Sequence, residues 1–181
     1  MRGMNVLRRG ARRNGTGDCI HLLDSVCKSH RLQVRSSYGA EMLANAHGFD
    51  DAYPTLVTLH ELNNGVLSPE QLKYVREHGG LALHITLTTD AESVYKSLTS
   101  RDLKVPTEKT LLEDVSWRRE VISLGFVQCV QWCDTRDMTA DGHTKGCIDR
   151  AFLLQLMQGQ QRYVHPTKRF APQPTGAHIS F

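Results

Sequence analysis

Apolar residues recur along this chain with two periods, and the change from one period to the other sets out the expected elements. Residues 19–23 form a short apolar run suited to a strand, and 24–28 read as a turn. Residues 31–35 alternate charged positions with Leu32 and Val34, the pattern of a half-exposed strand, so the two runs are expected to pair as a hairpin. Ser36 and Ser37 then open a helix, because a serine hydroxyl can accept from the unpaired amides of a first turn. Leu43, Ala46, Asp50, Tyr53 and Val57 fall three or four apart and define one stripe of that helix. Pro54 lies within it and should kink or split it, and Asn63-Asn64-Gly65 should end it.

Residues 68–77 read as a short helix or irregular insert, closed by Gly79-Gly80. Residues 81–87 are nearly all apolar, which predicts a central strand covered on both faces. A helix is expected over 91–98. A second should start at Pro106-Thr107 with Leu111, Leu112, Val115, Arg119 and Ile122 on one side, and stop at Gly125. Residues 126–133 predict the next strand, and an interrupted helix should run from Ala140-Asp141 to about Met157. After Gly159 the prolines 166, 172 and 174 predict little structure. The order describes an α/β fold in which an antiparallel pair leads into a mixed sheet flanked by helices.

Length adds that 181 residues suit one domain with some tail: a basic, disordered segment over 1–17, a folded domain over 18–157 and a flexible end over 158–181. A net charge of +3 does not by itself mark a nucleic-acid binder. Its distribution is uneven, with Arg2, Arg8, Arg9, Arg12 and Arg13 ahead of any acid, and Arg162, Lys168 and Arg169 beyond the last one. Basic ends suit phosphate contact, and they equally suit solvated tails. Five cysteines and no apolar leader predict reduced thiols and a cytoplasmic or nuclear location. No window approaches the roughly 18 apolar residues of a membrane span, so no membrane partner is expected.

Three acids stand at telling places. Glu41 lies in the first turns of the long helix, Asp90 closes a strand, and Asp141 opens the last helix. Strand ends and helix starts of an α/β sheet converge at one edge, so these carboxylates are expected to meet there. Acids brought together repel unless cations neutralise them, and hard oxygen ligands suit Mg²⁺ or Mn²⁺. The spacing Cys129-x3-Cys133-x9-His143-x3-Cys147 superficially resembles a zinc knuckle. Its first two members would lie about 13 Å apart along a strand, too far for one tetrahedral ion. His143 could position a water beside Asp141, or could be a plain surface or core residue. Trp117 and Trp132 could stack on bases, but in a helix and a strand they are expected to pack in the core.

Four segments resemble the ribonuclease H domain of copia-type retrotransposon polyproteins: RSSYGAEMLA at 35–44, TDAESVYKSL at 89–98, VPTEKTLLEDVSWRREVI at 105–122 and VQWCDTRDMTADGHTKG at 130–146. They occur in the family's order and spacing over roughly 18–157. The resemblance implies a ribonuclease H-like fold and hydrolysis of RNA in an RNA–DNA hybrid by two divalent ions held in a four-carboxylate site. Glu41, Asp90 and Asp141 would be three of the four, as catalytic and metal-binding residues. Arg35, Lys96, Arg118, Arg119 and Lys145 would be contacts to the nucleic-acid backbone.

The family's first acid lies on a strand ahead of the hairpin. Here that place falls near residues 1–5, and MRGMN holds no acid. The expectation is therefore a truncated domain lacking its first strand, impaired as an enzyme, whose partners are an RNA–DNA hybrid and an upstream reverse transcriptase segment. No Tyr-x-Asp-Asp motif of a reverse transcriptase occurs in the chain itself. The alternative is a non-catalytic nucleic-acid-binding or interaction domain of the same fold.

Overall fold

The computed structural model of the chain describes residues 2–11, 18–28, 35–103, 105–144 and 151–172. The chain forms two compact units: a larger one of Arg35–Trp132 with Lys168–Phe181, and a smaller one of Met1–Val34 with Cys133–Thr167. Helices accompany two small sheets, one of them mixed, so the chain is α/β.

The larger unit begins with α1, Ser37–Asn64. Ser36 caps it as expected, its Oγ accepting from the Gly39 amide at 3.0 Å, and the Gly65 N–H closes it on the Glu61 carbonyl at 2.9 Å. Its buried line is Met42, Leu43, Ala46, Phe49, Leu56 and His60. The expected stripe is thus corrected at Asp50, which is exposed. Pro54 does not split the helix. The carbonyl it deprives of an amide belongs to Asp50, an exposed residue. A tight capping box starts α2, Pro69–His78: Ser68 Oγ accepts from the Gln71 amide at 3.2 Å, and Gln71 Oε1 accepts from the Ser68 amide at 2.8 Å.

The three-stranded sheet comprises β3 (Ile85–Thr89), β4 (Val127–Trp132) and β5 (Lys168–Phe170), in that order. β3 runs parallel to β4, and the connection between them carries α3 (Glu92–Thr99) and α4 (Leu112–Ser123). Two expectations are corrected here. Residues 81–84 are not strand, and β3 stands at an edge of its sheet, whereas β4 is the inner strand with Val127 and Val130 fully buried. The stretch after Gly159 is not without structure either, since β5 pairs antiparallel with β4. Lys168 fixes it: Nζ lies 2.6 Å from Glu92 Oε1 and 4.9 Å from the Trp132 ring centre. The core joins Met42, Phe49 and Leu56 of α1 to Val75, Val94, Val115, Val121 and both β4 valines. Each such side chain contributes roughly 1.5–3 kcal/mol by leaving water.

The smaller unit is built on an antiparallel pair, β1 (Arg2–Ala11) and β2 (Asp18–Lys28). This corrects three expectations. Residues 2–11 are strand rather than a disordered tail, a strand does precede β2, and 24–28 continue that strand instead of turning. The register slips between Val6 and Leu7, leaving Leu23 as the extra residue of a bulge. Asp24 Oδ1 accepts from the Ser25 amide at 2.7 Å just beyond it. Of the expected second hairpin strand, residues 31–34 lie outside the described residues and Arg35 is in a bend. The short helices α5 (Asp141–Thr144) and α6 (Ala151–Met157) pack on the pair, with Val6, Ile20 and Leu156 buried. Residues 145–150, which lie between them within the span of the expected interrupted helix, fall outside the described residues.

Candidate functional site

The three acids fall in different units. Glu41 is exposed in the first turns of α1, and Asp90 is half-buried directly after β3, at the carboxyl end of the parallel β3–β4 pair. Both belong to the larger unit, where α1 packs against β3. The turn at Asp90 is pinned through its backbone, because Trp132 Nε1 donates to the Asp90 carbonyl at 2.8 Å. Asp141 is the first residue of α5 in the smaller unit, half-buried, its amide donating to the Met138 carbonyl at 3.2 Å. Among the described residues, no three His, Cys, Asp or Glu side chains gather closely enough to hold a metal ion.

The expected backbone contacts divide more sharply. Arg35 is exposed just ahead of α1. Lys96 is exposed too, with Nζ 3.2 Å from Glu92 Oε1. The hydrogen bond from Lys168, then that from Lys96, holds the Glu92 carboxyl below its usual range. Arg118 does not present its charge at a surface. It is 2 % exposed, its guanidinium 5.3 Å from the Phe49 ring centre and its Nη2 3.4 Å from Asp50 Oδ1. Burial pushes this guanidinium's pKa down, against the pull of Asp50 and Asp114. Arg119 spends its guanidinium on the end of α3, donating to the Ser97 carbonyl at 3.1 Å and the Arg101 carbonyl at 3.0 Å. Lys145 lies outside the described residues.

Arg118 leads to a prediction. Its Nε and Nη1 have no hydrogen-bond partner, so its buried charge is poorly compensated. Arg118→Met should leave stability unchanged or raise it by up to about 2 kcal/mol, read from a urea midpoint. A loss of comparable size would mean that the charge itself holds α1 to α4.

Two features were not anticipated from the sequence. Asp137 has a fully buried side chain and binds the segment that follows α6. Its Oδ2 accepts from the Val164 amide at 3.1 Å and the His165 amide at 2.8 Å, and its Oδ1 lies 3.0 Å from His165 Nδ1. Nearby, Arg136 hydrogen bonds hold the Asp134 carboxyl well below the usual range. The second feature is a polar cluster on the hairpin. His143 Nε2 lies 2.8 Å from Asn5 Oδ1 and 2.9 Å from Ser25 Oγ, so it ties α5 to both strands. The two tryptophans also part company. Trp132 is half-buried under Lys168, while Trp117, expected in the core, is 38 % exposed.

No described helix is long and apolar enough to cross a membrane. Compared with protein-family models, with curated proteins and with solved structures, the chain matches none.

Proposed function

We propose that the chain is a remnant of a retroelement ribonuclease H domain of the copia type. That lineage hydrolyses RNA in RNA–DNA hybrids with two divalent ions. This chain does not, because the strand ahead of β2 carries no carboxylate: β1 reads RGMNVLRRGA. The observation that carries the reading is Asp90. It directly follows β3, the edge strand of the parallel β3–β4 pair, and leads into a helix, beside a long helix that bears Glu41 near its start. These elements occur in the order of the four matched segments.

The carboxylates suit Mg²⁺ or Mn²⁺ in kind, since both ions prefer oxygen ligands. They fall short in number. The larger unit by itself supplies two of the family's four acids, Glu41 and Asp90, too few alone to neutralise a pair of ions, and no cleavage step is derived from them. The expected behaviour is weak binding of a single cation without turnover. Titrating the ¹⁵N-labelled chain with Mn²⁺ should broaden the amide signals around Glu41 and Asp90, and Asp90→Asn should remove the effect. A labelled hybrid incubated with the same protein should stay intact. Broadening that bypasses both acids would defeat the reading, as would cleavage that survives Asp90→Asn.

A second reading, a non-catalytic nucleic-acid-binding domain, is favoured by β1, where Arg8 and Arg9 are both exposed and no acid intervenes. Its mark is hybrid binding that weakens steeply with salt, needs no divalent ion and is indifferent to Asp90→Asn.

A further inference from the structure

The β1–β2 pair carries a second kind of chemistry, independent of the carboxylates. Cys19 Sγ lies 3.4 Å from His21 Nε2, a thiol within hydrogen-bonding reach of an imidazole two residues along the same strand. Residues two apart on a strand share a face, and directly opposed residues of neighbouring strands share it too. Opposite His21 stands Arg8, and opposite Cys19 stands Gly10. Arg8 and His21 are exposed and Cys19 is partly so. A Cβ built on Gly10 would meet nothing within 4 Å, so the cross-strand position beside the sulfur is open. A nucleophile, a base, a fixed positive charge and an approach path therefore share one face.

We propose that Cys19, His21 and Arg8 form a thiol-modification site that reacts with small anionic disulfides of the glutathione class. In the reaction His21 Nε2 accepts the thiol proton as Sγ attacks one sulfur of the disulfide. A new S–S bond forms between Cys19 and that sulfur, the original S–S bond breaks, and the departing thiolate takes the proton from the imidazole. The Cys19 sulfur is oxidised to the disulfide level, the departing sulfur is reduced to a free thiol, and the attacked sulfur stays at the disulfide level in the new mixed disulfide. Arg8 supplies a guanidinium that pairs with a carboxylate of the reagent.

The remaining described thiols make the comparison. Cys27 is exposed on the same strand, but its Sγ donates to the His143 backbone carbonyl at 3.2 Å, a group that cannot carry the proton away. Cys129 and Cys133 are buried. Accessibility alone would favour Cys27, and the ring nitrogen favours Cys19.

The test exposes the full-length reduced chain to glutathione disulfide and follows adduct formation at each cysteine by peptide mass spectrometry. Cys19 should react on the order of tenfold faster than Cys27. His21→Gln should bring Cys19 down to the rate of Cys27, with the Cys27 rate unchanged as an internal check that the hairpin is intact. Arg8→Gln should slow the reaction with glutathione disulfide but not with the uncharged hydroxyethyl disulfide. Equal rates at Cys19 and Cys27 in the parent chain would overturn the proposal, as would a Cys19 rate indifferent to His21→Gln. An Arg8→Gln effect of equal size on both reagents would remove the anionic class from it.

Discussion

Replacing Asp137 with alanine should destabilise the smaller unit by about 3 kcal/mol. The carboxylate is completely buried, yet three donors converge on it: the Val164 and His165 amides on Oδ2, and the His165 ring nitrogen at Oδ1. Alanine removes the acceptor and leaves those donors without it. The readout should be local. Amide exchange at 164 and 165 should become fast, while the β3–β4 amides of the larger unit keep their protection. His165→Gln removes only the ring contact and should cost about 1 kcal/mol, because both backbone donors stay paired. Unchanged exchange at 164 and 165 in Asp137→Ala would show that the segment is held by something else.

The same group gives the unit a pH dependence. Burial pushes the Asp137 carboxyl up, but the hydrogen bonds and charge of His165, with the Val164 amide, outweigh it, and the net direction is down. A carboxyl whose folded pKa lies below its unfolded value binds fewer protons in the folded state. Its stabilisation is therefore complete above the ordinary aspartate value of about 4, and it is lost as pH falls from there through the lowered folded value. Parent and Asp137→Ala stabilities should differ most at neutral pH and draw together in strong acid. A gap that stays constant down to strong acid would contradict this sign.

Why Asp137 could not be read from the chain is instructive. Its partners lie 27 and 28 residues further on, and no local period links a loop acid to a later backbone amide. Where stabilisation is local, the sequence is readable: Ser36 and the stops at Gly65 and Gly79 each act within one helical turn. The stripe of α1 holds at Leu43, Ala46, Tyr53 and Val57 and fails at Asp50, beside which Phe49 is the buried residue. A helix of 28 residues drifts against any fixed heptad, and only the packing partner fixes its phase.

Strands fared worse, because their stabilisation comes from a neighbour. β1 looked like a basic tail on counts of arginine and glycine, although Met4 and Val6 already alternate, and pairing with β2 orders it. The turn chemistry seen at Asp24 is real but local. Its carboxylate does capture the next amide, but just beyond a bulge at Leu23 in a continuous strand, not in a reversal. β5 is three residues long and owes its place to β4, Glu92 and Trp132. Of the candidate acids, position relative to the elements was legible for all three. Whether carboxylates share a site depends on tertiary arrangement, which no spacing along the chain encodes.

Gly79→Ala should be the most damaging small substitution in the larger unit, at roughly 4 kcal/mol. Two terms combine. Gly79 ends α2 at φ 76°, ψ −151°, a conformation that side chains rarely adopt, and its amide closes the helix on the Val75 carbonyl at 2.7 Å. Leaving that conformation breaks the closing bond. Keeping it drives the new methyl to 2.0 Å from the Leu124 carbonyl oxygen, a backbone atom that cannot rotate aside. Gly65 separates the terms. It closes α1 at φ 96°, ψ 159°, a comparable backbone demand, but a Cβ there meets nothing within 4 Å. Gly65→Ala should therefore lose only the backbone part, about 1–2 kcal/mol. Urea unfolding of the two variants under identical conditions gives the difference, which measures the contact between the end of α2 and the end of α4. Equal losses would mean that the Leu124 carbonyl yields freely and that backbone conformation alone makes glycine necessary at 79.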